Sequence, residues 1–169
     1  MSWYRFAKQE DTDRIEQSIK ETMKNHPFFI HLMREYNISE HDIDNHLNIY
    51  FVDFDHKFAE GNGEEIKIDS SLLDEDFLKQ NMHYVVHEFF HWLKRRSEAK
   101  FYFNDDEEVQ AFTLAIAWEL LEGNDDNNIR EKLYPIVRGH FKNKEKASKL
   151  FDSMLRNAHN IILKIENRS

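Results

Sequence analysis

His87 and His91 stand four residues apart, with Glu88 directly after the first, in the stretch Tyr84-Val85-Val86-His87-Glu88-Phe89-Phe90-His91-Trp92-Leu93. No Gly or Pro interrupts it, so it reads as a helix. Residues four apart on a helix share a face, and both imidazoles can therefore point at one ion. Glu88 is too far round to be the natural third ligand and is placed to reach a water held by that ion. Neutral imidazole suits Zn²⁺, and a cation with an open position lowers the pKa of bound water to about 7. A carboxylate beside that water can take its proton and pass it to a leaving amine. The pattern His-Glu-x-x-His thus predicts metal-assisted hydrolysis, with His87 and His91 as ligands and Glu88 as general base. The competing reading is a core helix whose histidines are simply hydrogen-bonded. Val85, Val86, Phe89, Phe90 and Leu93 make the helix apolar on nearly every other side. Such a helix is buried, and two His and a Glu within it need partners either way.

Several elements must position this helix. Asp11 to Lys24 reads as a charged helix with Ile15, Ile19 and Met23 as its inner stripe and Asp11 or Thr12 as N-cap. Pro27 opens a second helix through Phe28, Phe29, Leu32 and Met33, and Ser39 with Asp42 forms a capping box for a third. Leu47 to Phe54 is the best strand. Gly61-Asn62-Gly63 is a turn signal, and Glu64 to Leu72 alternates at Ile66 and Ile68 as a half-buried edge strand, suited to pairing with an extended peptide. Asp74 or Asp76 caps one helix running through the motif to about Arg96, ending in the cationic turn Lys94-Arg95-Arg96. His83, one turn before His87, reads as a surface residue. After an extended Phe101-Tyr102-Phe103, a helix capped at Asn104 or Asp105 runs from about Asp106 to Glu122 and closes at Gly123. A polar loop to Asn128, a helix from about Ile129 to His140 disturbed at Pro135, and an amphipathic helix from Lys144 to Glu166 complete the chain.

The chain of 169 residues is long enough to bury one core, and its 14% aromatic content with four Gly and two Pro favours helices over a turn-rich β fold. A net charge of −9 argues against a phosphate-binding face, and hence against nucleic acid as a partner. The absence of Cys excludes disulfides and thiolate zinc ligands, and fits a reducing cytoplasm. The N-terminus has no apolar region of secretory type. The longest apolar run, Ala111 to Leu121, carries Glu119 and is too short to cross a bilayer.

A catalytic zinc needs a third protein ligand. The first turn of the helix after the motif offers four carboxylates, Asp105, Asp106, Glu107 and Glu108. Acidic residues are common there because they suit the helix dipole. This helix turns almost wholly apolar directly afterwards, so its first turn lies near the core and one carboxylate can turn inward.

At this point the chain resembles the compact gluzincin metallopeptidases, above all the ImmA/IrrE type. The resemblance rests on Ile66-Lys-Ile-Asp-Ser-Ser-Leu-Leu73, on His87 to His91 and on Asp106-Glu-Glu-Val-Gln-Ala-Phe-Thr113, in the family's order, and covers roughly residues 47–122. Asp106 and Gln110 replace a Glu and an Asn of the family's pattern, and Glu108 matches its second Glu. The resemblance implies Glu108, four residues before Phe112, as third zinc ligand, with Asp106 as the alternative. It also implies a single-domain, mostly helical α+β zincin-like fold over 1–169, with a small sheet, a core at about 47–122 and terminal helices packed around it. The implied activity is Zn²⁺-dependent cleavage of a protein or peptide substrate, with the strand Ile66–Asp69 holding the substrate backbone. His83, Tyr84, Tyr102 and His140 are the candidates for stabilising the oxyanion. The alternative in another class is a zincin-like binding or regulatory module with little or no turnover.

Overall fold

The computed structural model describes residues 9–55, 57–61, 65–97, 105–141 and 143–168, with the backbone alone at Gln9, Gly61, Asp105, Asp106 and Arg168. The chain is a mostly helical α+β protein with a small three-stranded mixed sheet. It divides into two compact units, Met1–Phe101 and Tyr102–Ser169. The turn expected at 61–63 lies largely outside the described residues, as do the extended segment at 101–103 and the cap at Asn104.

In the first unit, α1 (Gln9–Asn25) buries Ile15, Ile19 and Met23, the stripe its spacing requires. It starts earlier than expected, so Asp11 and Thr12 lie inside its first turn rather than at its cap. Helix α2 (Pro27–Glu35) has Pro at its first position, where no N–H is missed, and His26 as cap, its Nδ1 accepting from Phe28 N–H at 3.1 Å. Phe28, Phe29, Leu32 and Met33 are buried. Helix α3 (Glu40–His46) opens with the capping box, Ser39 and Asp42 each accepting the other's backbone N–H.

The sheet is ordered β1 (Asn48–Val52), β3 (Glu65–Asp69), β2 (Ala59–Gly61), with β1 parallel and β2 antiparallel to β3. This corrects the expectation that Ile66–Asp69 is an edge strand. Six residues separate β1 from β2, enough to step across one strand position, about 9.5 Å. The chain then returns through β3 into the vacant slot. The short β2 carries no apolar alternation of its own, which is why pattern alone missed it. Ile66 faces Ile49, and Ile68 faces Phe51, all four buried on one side, while Tyr50 and Lys67 face outward.

A 3₁₀ turn (Ser70–Leu73) leads to α4 (Glu75–Gln80), capped by Asp74, which accepts from Phe77 N–H at 2.9 Å. The chain leaves helical geometry at Asn81, so the single helix expected from Asp74 to Arg96 is two. The second, α5 (Met82–Ser97), carries the motif and packs on the apolar face of the sheet. Phe29 of α2 meets Phe89 edge-on at 5.3 Å, and Arg96 donates to Asp42 at 3.1 and 3.2 Å, tying α2 and α3 to α5.

In the second unit, α6 (Asp105–Leu121) is buried continuously from Ala111 to Glu119. It ends as expected at Gly123 (φ +93°), with Gly123 N–H bonded to Leu120 O and Asn124 N–H to Glu119 O. The polar loop is short, because Asp125 already caps α7 (Asp126–His140). Ile129, Leu133 and Val137 form the inner stripe of α7. Pro135 lies on the exposed side, where the carbonyl it cannot pair stays open to water, and the helix continues through it. Helix α8 (Lys144–Arg168) buries Ala147, Phe151, Met154, Leu155, Ala158 and Ile165. Arg130 and Asp126 of α7 pair with Asp152 and His159 of α8. No helix among the described residues is long and apolar enough to cross a membrane.

Backbone and hydroxyl hydrogen bonds from Ser39, then Arg96, hold the Asp42 carboxyl down at about 2 against an ordinary 3.8. Its folded value is depressed, so its contribution to stability is present above about pH 4 and lost as the pH falls toward 2. Urea titrations of wild type and Asp42→Asn should therefore show a stability gap at pH 6 that closes between pH 4 and 2. A gap independent of pH would disprove the assignment.

Candidate metal and hydrolytic site

Helix α5 is buried on every side but one. Between Met82 and Leu93 only Tyr84, His87 and Glu88 are half-buried, and these share the i, i+3, i+4 face. His91, one further turn along, closes the stripe and is itself buried. The apolar residues between these positions press the helix onto the sheet and α2, so the polar stripe is its least covered face. The two imidazoles converge, with Nε2 of His87 3.3 Å from Nε2 of His91 and the rings 71° apart. Two nitrogens bound to one tetrahedral zinc at 2.0–2.1 Å stand about 3.3–3.4 Å apart. The pair is therefore spaced as zinc chelation requires, and equally as an N–H···N hydrogen bond between the rings does.

The other residues named from sequence divide unevenly. His83 is buried, not on the surface as expected, with its ring centroid 4.2 Å from that of Tyr84. Tyr84 is enclosed by Phe58 at 5.1 Å as well, and burial raises its phenol above the usual value. Its hydroxyl therefore stays protonated, as a donor. Tyr102 and the side chain of Asp106 lie outside the described residues.

In the second unit, Glu108 is half-buried in the first turn of α6 and stands 3.4 Å from Nε2 of His140, whose ring meets Phe112 edge-on at 5.5 Å. Glu107, not singled out in the sequence, is the more deeply buried carboxylate, at 3% exposure. Gln110 is exposed. The depth of Glu107 has a signal in hindsight: it falls on the same face as Ala111, Leu114 and Trp118. At the other end of α6, buried Glu119 accepts from Lys132 at 3.0 Å and from Asn124 at 2.6 Å. That pairing fixes the orientation of α6 and hence of its first turn.

Comparison with protein-family models, with curated proteins and with solved structures found no match to this chain.

Removing the cation beside Glu119 should leave a buried carboxylate under-satisfied. Lys132→Met is expected to cost about 1–3 kcal/mol in urea unfolding at pH 7, and Lys132→Met with Glu119→Leu should recover most of it. An additive double variant would show that the pair does not hold α6.

Proposed function

We propose that this chain is a zinc-dependent peptidase of compact zincin type, with His87, His91 and Glu108 as metal ligands and Glu88 as general base. The observation that carries the reading is the 3.3 Å separation of the two Nε2 atoms on one face of α5, the spacing of a tetrahedral zinc chelate. We take Glu108, in the second unit, as the third ligand, the role that the resemblance implies. The donor set fits zinc: two neutral imidazoles and one carboxylate leave a fourth position open, as catalytic sites require.

Bound zinc supplies Lewis acidity toward the scissile carbonyl. Glu88 takes a proton from the attacking water as its oxygen adds to the carbonyl carbon. It returns that proton to the amide nitrogen as the C–N bond breaks, giving a carboxylic acid and an amine. The apolar packing of α5 limits the rotamers of both imidazoles, so they converge without reorganisation. The substrate is a protein or peptide. The resemblance to the ImmA/IrrE type gives this reading its substrate class, and regulatory cleavage of another protein is the role it suggests.

Metal content per chain and peptide hydrolysis test the proposal together. Wild type should hold about one zinc, and His87→Ala none. Glu88→Gln should keep the metal and lose at least about 10²-fold in kcat. Glu108→Ala should weaken zinc by more than the roughly 10–100-fold that loss of a supporting contact costs, with Asp106→Ala near wild type. Loss in Asp106→Ala with retention in Glu108→Ala would transfer the third ligand to Asp106. A wild type that takes up no zinc would end the peptidase reading. Zinc binding with hydrolysis indifferent to Glu88→Gln would leave a metal-holding binding module.

A further inference from the structure

Four rings form a continuous ladder in the first unit. Phe77 of α4 lies 5.7 Å from Phe58, Phe58 lies 5.1 Å from Tyr84, and Tyr84 lies 4.2 Å from His83. Phe58 immediately precedes β2, which pairs only with β3 among the described residues. Phe58, Phe77 and Tyr84 are each only half-buried, whereas the large apolar side chains of α5 elsewhere are fully covered. Three half-buried rings side by side form a surface that another ring can meet edge-on.

Tyr84 is one helical turn before Glu88 on the same face, about 6 Å along the axis. An extended peptide advances about 3.3 Å per residue. A side chain resting on Tyr84 and Phe58 therefore belongs to a residue one or two positions from a bond held at Glu88. Among the described residues β2 has no second strand partner, and its outer side offers backbone donors and acceptors to the same extended chain.

We propose that Phe58, Phe77 and Tyr84 form a specificity subsite that selects substrates carrying an aromatic residue one or two positions from the scissile bond. The inference rests on the peptidase reading for its substrate class, and on the ring ladder for its selectivity. Phe58 and Tyr84 are the determining residues, because they connect the strand edge to the face of α5 that bears Glu88. Phe77 backs Phe58 and holds its tilt.

Binding is measured on the full chain carrying Glu88→Gln, loaded with zinc, so that no probe is consumed. The probes are two capped hexapeptides of alanine and serine, one with a single phenylalanine and one with alanine in its place. The phenylalanine peptide should bind about tenfold more tightly or better, as expected for burying one ring against others. That ratio should fall close to one in Phe58→Ala and in Tyr84→Ala, and stay intermediate in Phe58→Leu, with far-UV circular dichroism confirming that each variant folds. A ratio near one in the parent, or a ratio that survives in both alanine variants, would overturn the subsite. Turnover by the chain with Glu88 intact separates the two readings. Hydrolysis without ring preference keeps the peptidase and removes the subsite. A ring preference in binding with no hydrolysis keeps the subsite and removes the peptidase.

Discussion

Everything at the site depends on α5 being held on all sides but one. Val85, Val86, Phe89, Phe90, Trp92 and Leu93 are almost wholly removed from water, and their contacts with the sheet and α2 leave the helix no freedom to roll. A rotation by one residue, about 100°, would carry His87 inward and Phe89 outward. Exposing that one ring costs about 1.5–3 kcal/mol, a substantial share of the roughly 5–15 kcal/mol that separates folded from unfolded chains. The convergence of two imidazoles at 3.3 Å is therefore a consequence of apolar packing on the opposite faces.

That packing begins in the sheet. The central position of β3 sets Ile66 and Ile68 beside Ile49 and Phe51 on one buried side, and α5 packs against β3 and β2. The same topology puts β2, next to Phe58 and its contact with Tyr84, at the end of the strand order among the described residues. The supports of α2 and α3 reach α5 from other directions, through the Phe29–Phe89 contact and the Asp42–Arg96 pair. Local caps at Ser39, Asp69, Asp74 and Asp125 then fix where each element starts, so that long-range packing acts on elements of defined length.

The second unit repeats the same logic with different parts. Helix α6 is apolar around most of its circumference, with Glu107, Thr113 and Glu119 as buried polar residues among those described. Glu119 is paired locally with Lys132, which makes it a structural charge. Glu108 is less deeply buried and stands 3.4 Å from His140. Burial and pairing thus separate carboxylates that look alike in the sequence.

The sequence by itself determined the helices and their inner faces, because apolar spacing of three and four residues has one geometric solution. Ile15, Ile19 and Met23, the stripe of α8, and the His87–Glu88–His91 face were all legible in this way. The capping box at Ser39 and the stop at Gly123 were legible too, since both use side chains or backbone conformations local to a few residues. Only tertiary structure decided what depends on distant neighbours. Ile66 and Ile68 show the same alternation in an edge strand or a central one, and the three residues of β2 that make β3 central have no pattern to read. His83 looks like any helix histidine until its neighbours cover it, and the ring ladder joins Phe77, Phe58 and Tyr84 from three separate segments. Periodicity encodes which face of an element turns inward; which partners it meets there is set by chain topology, which no local spacing records.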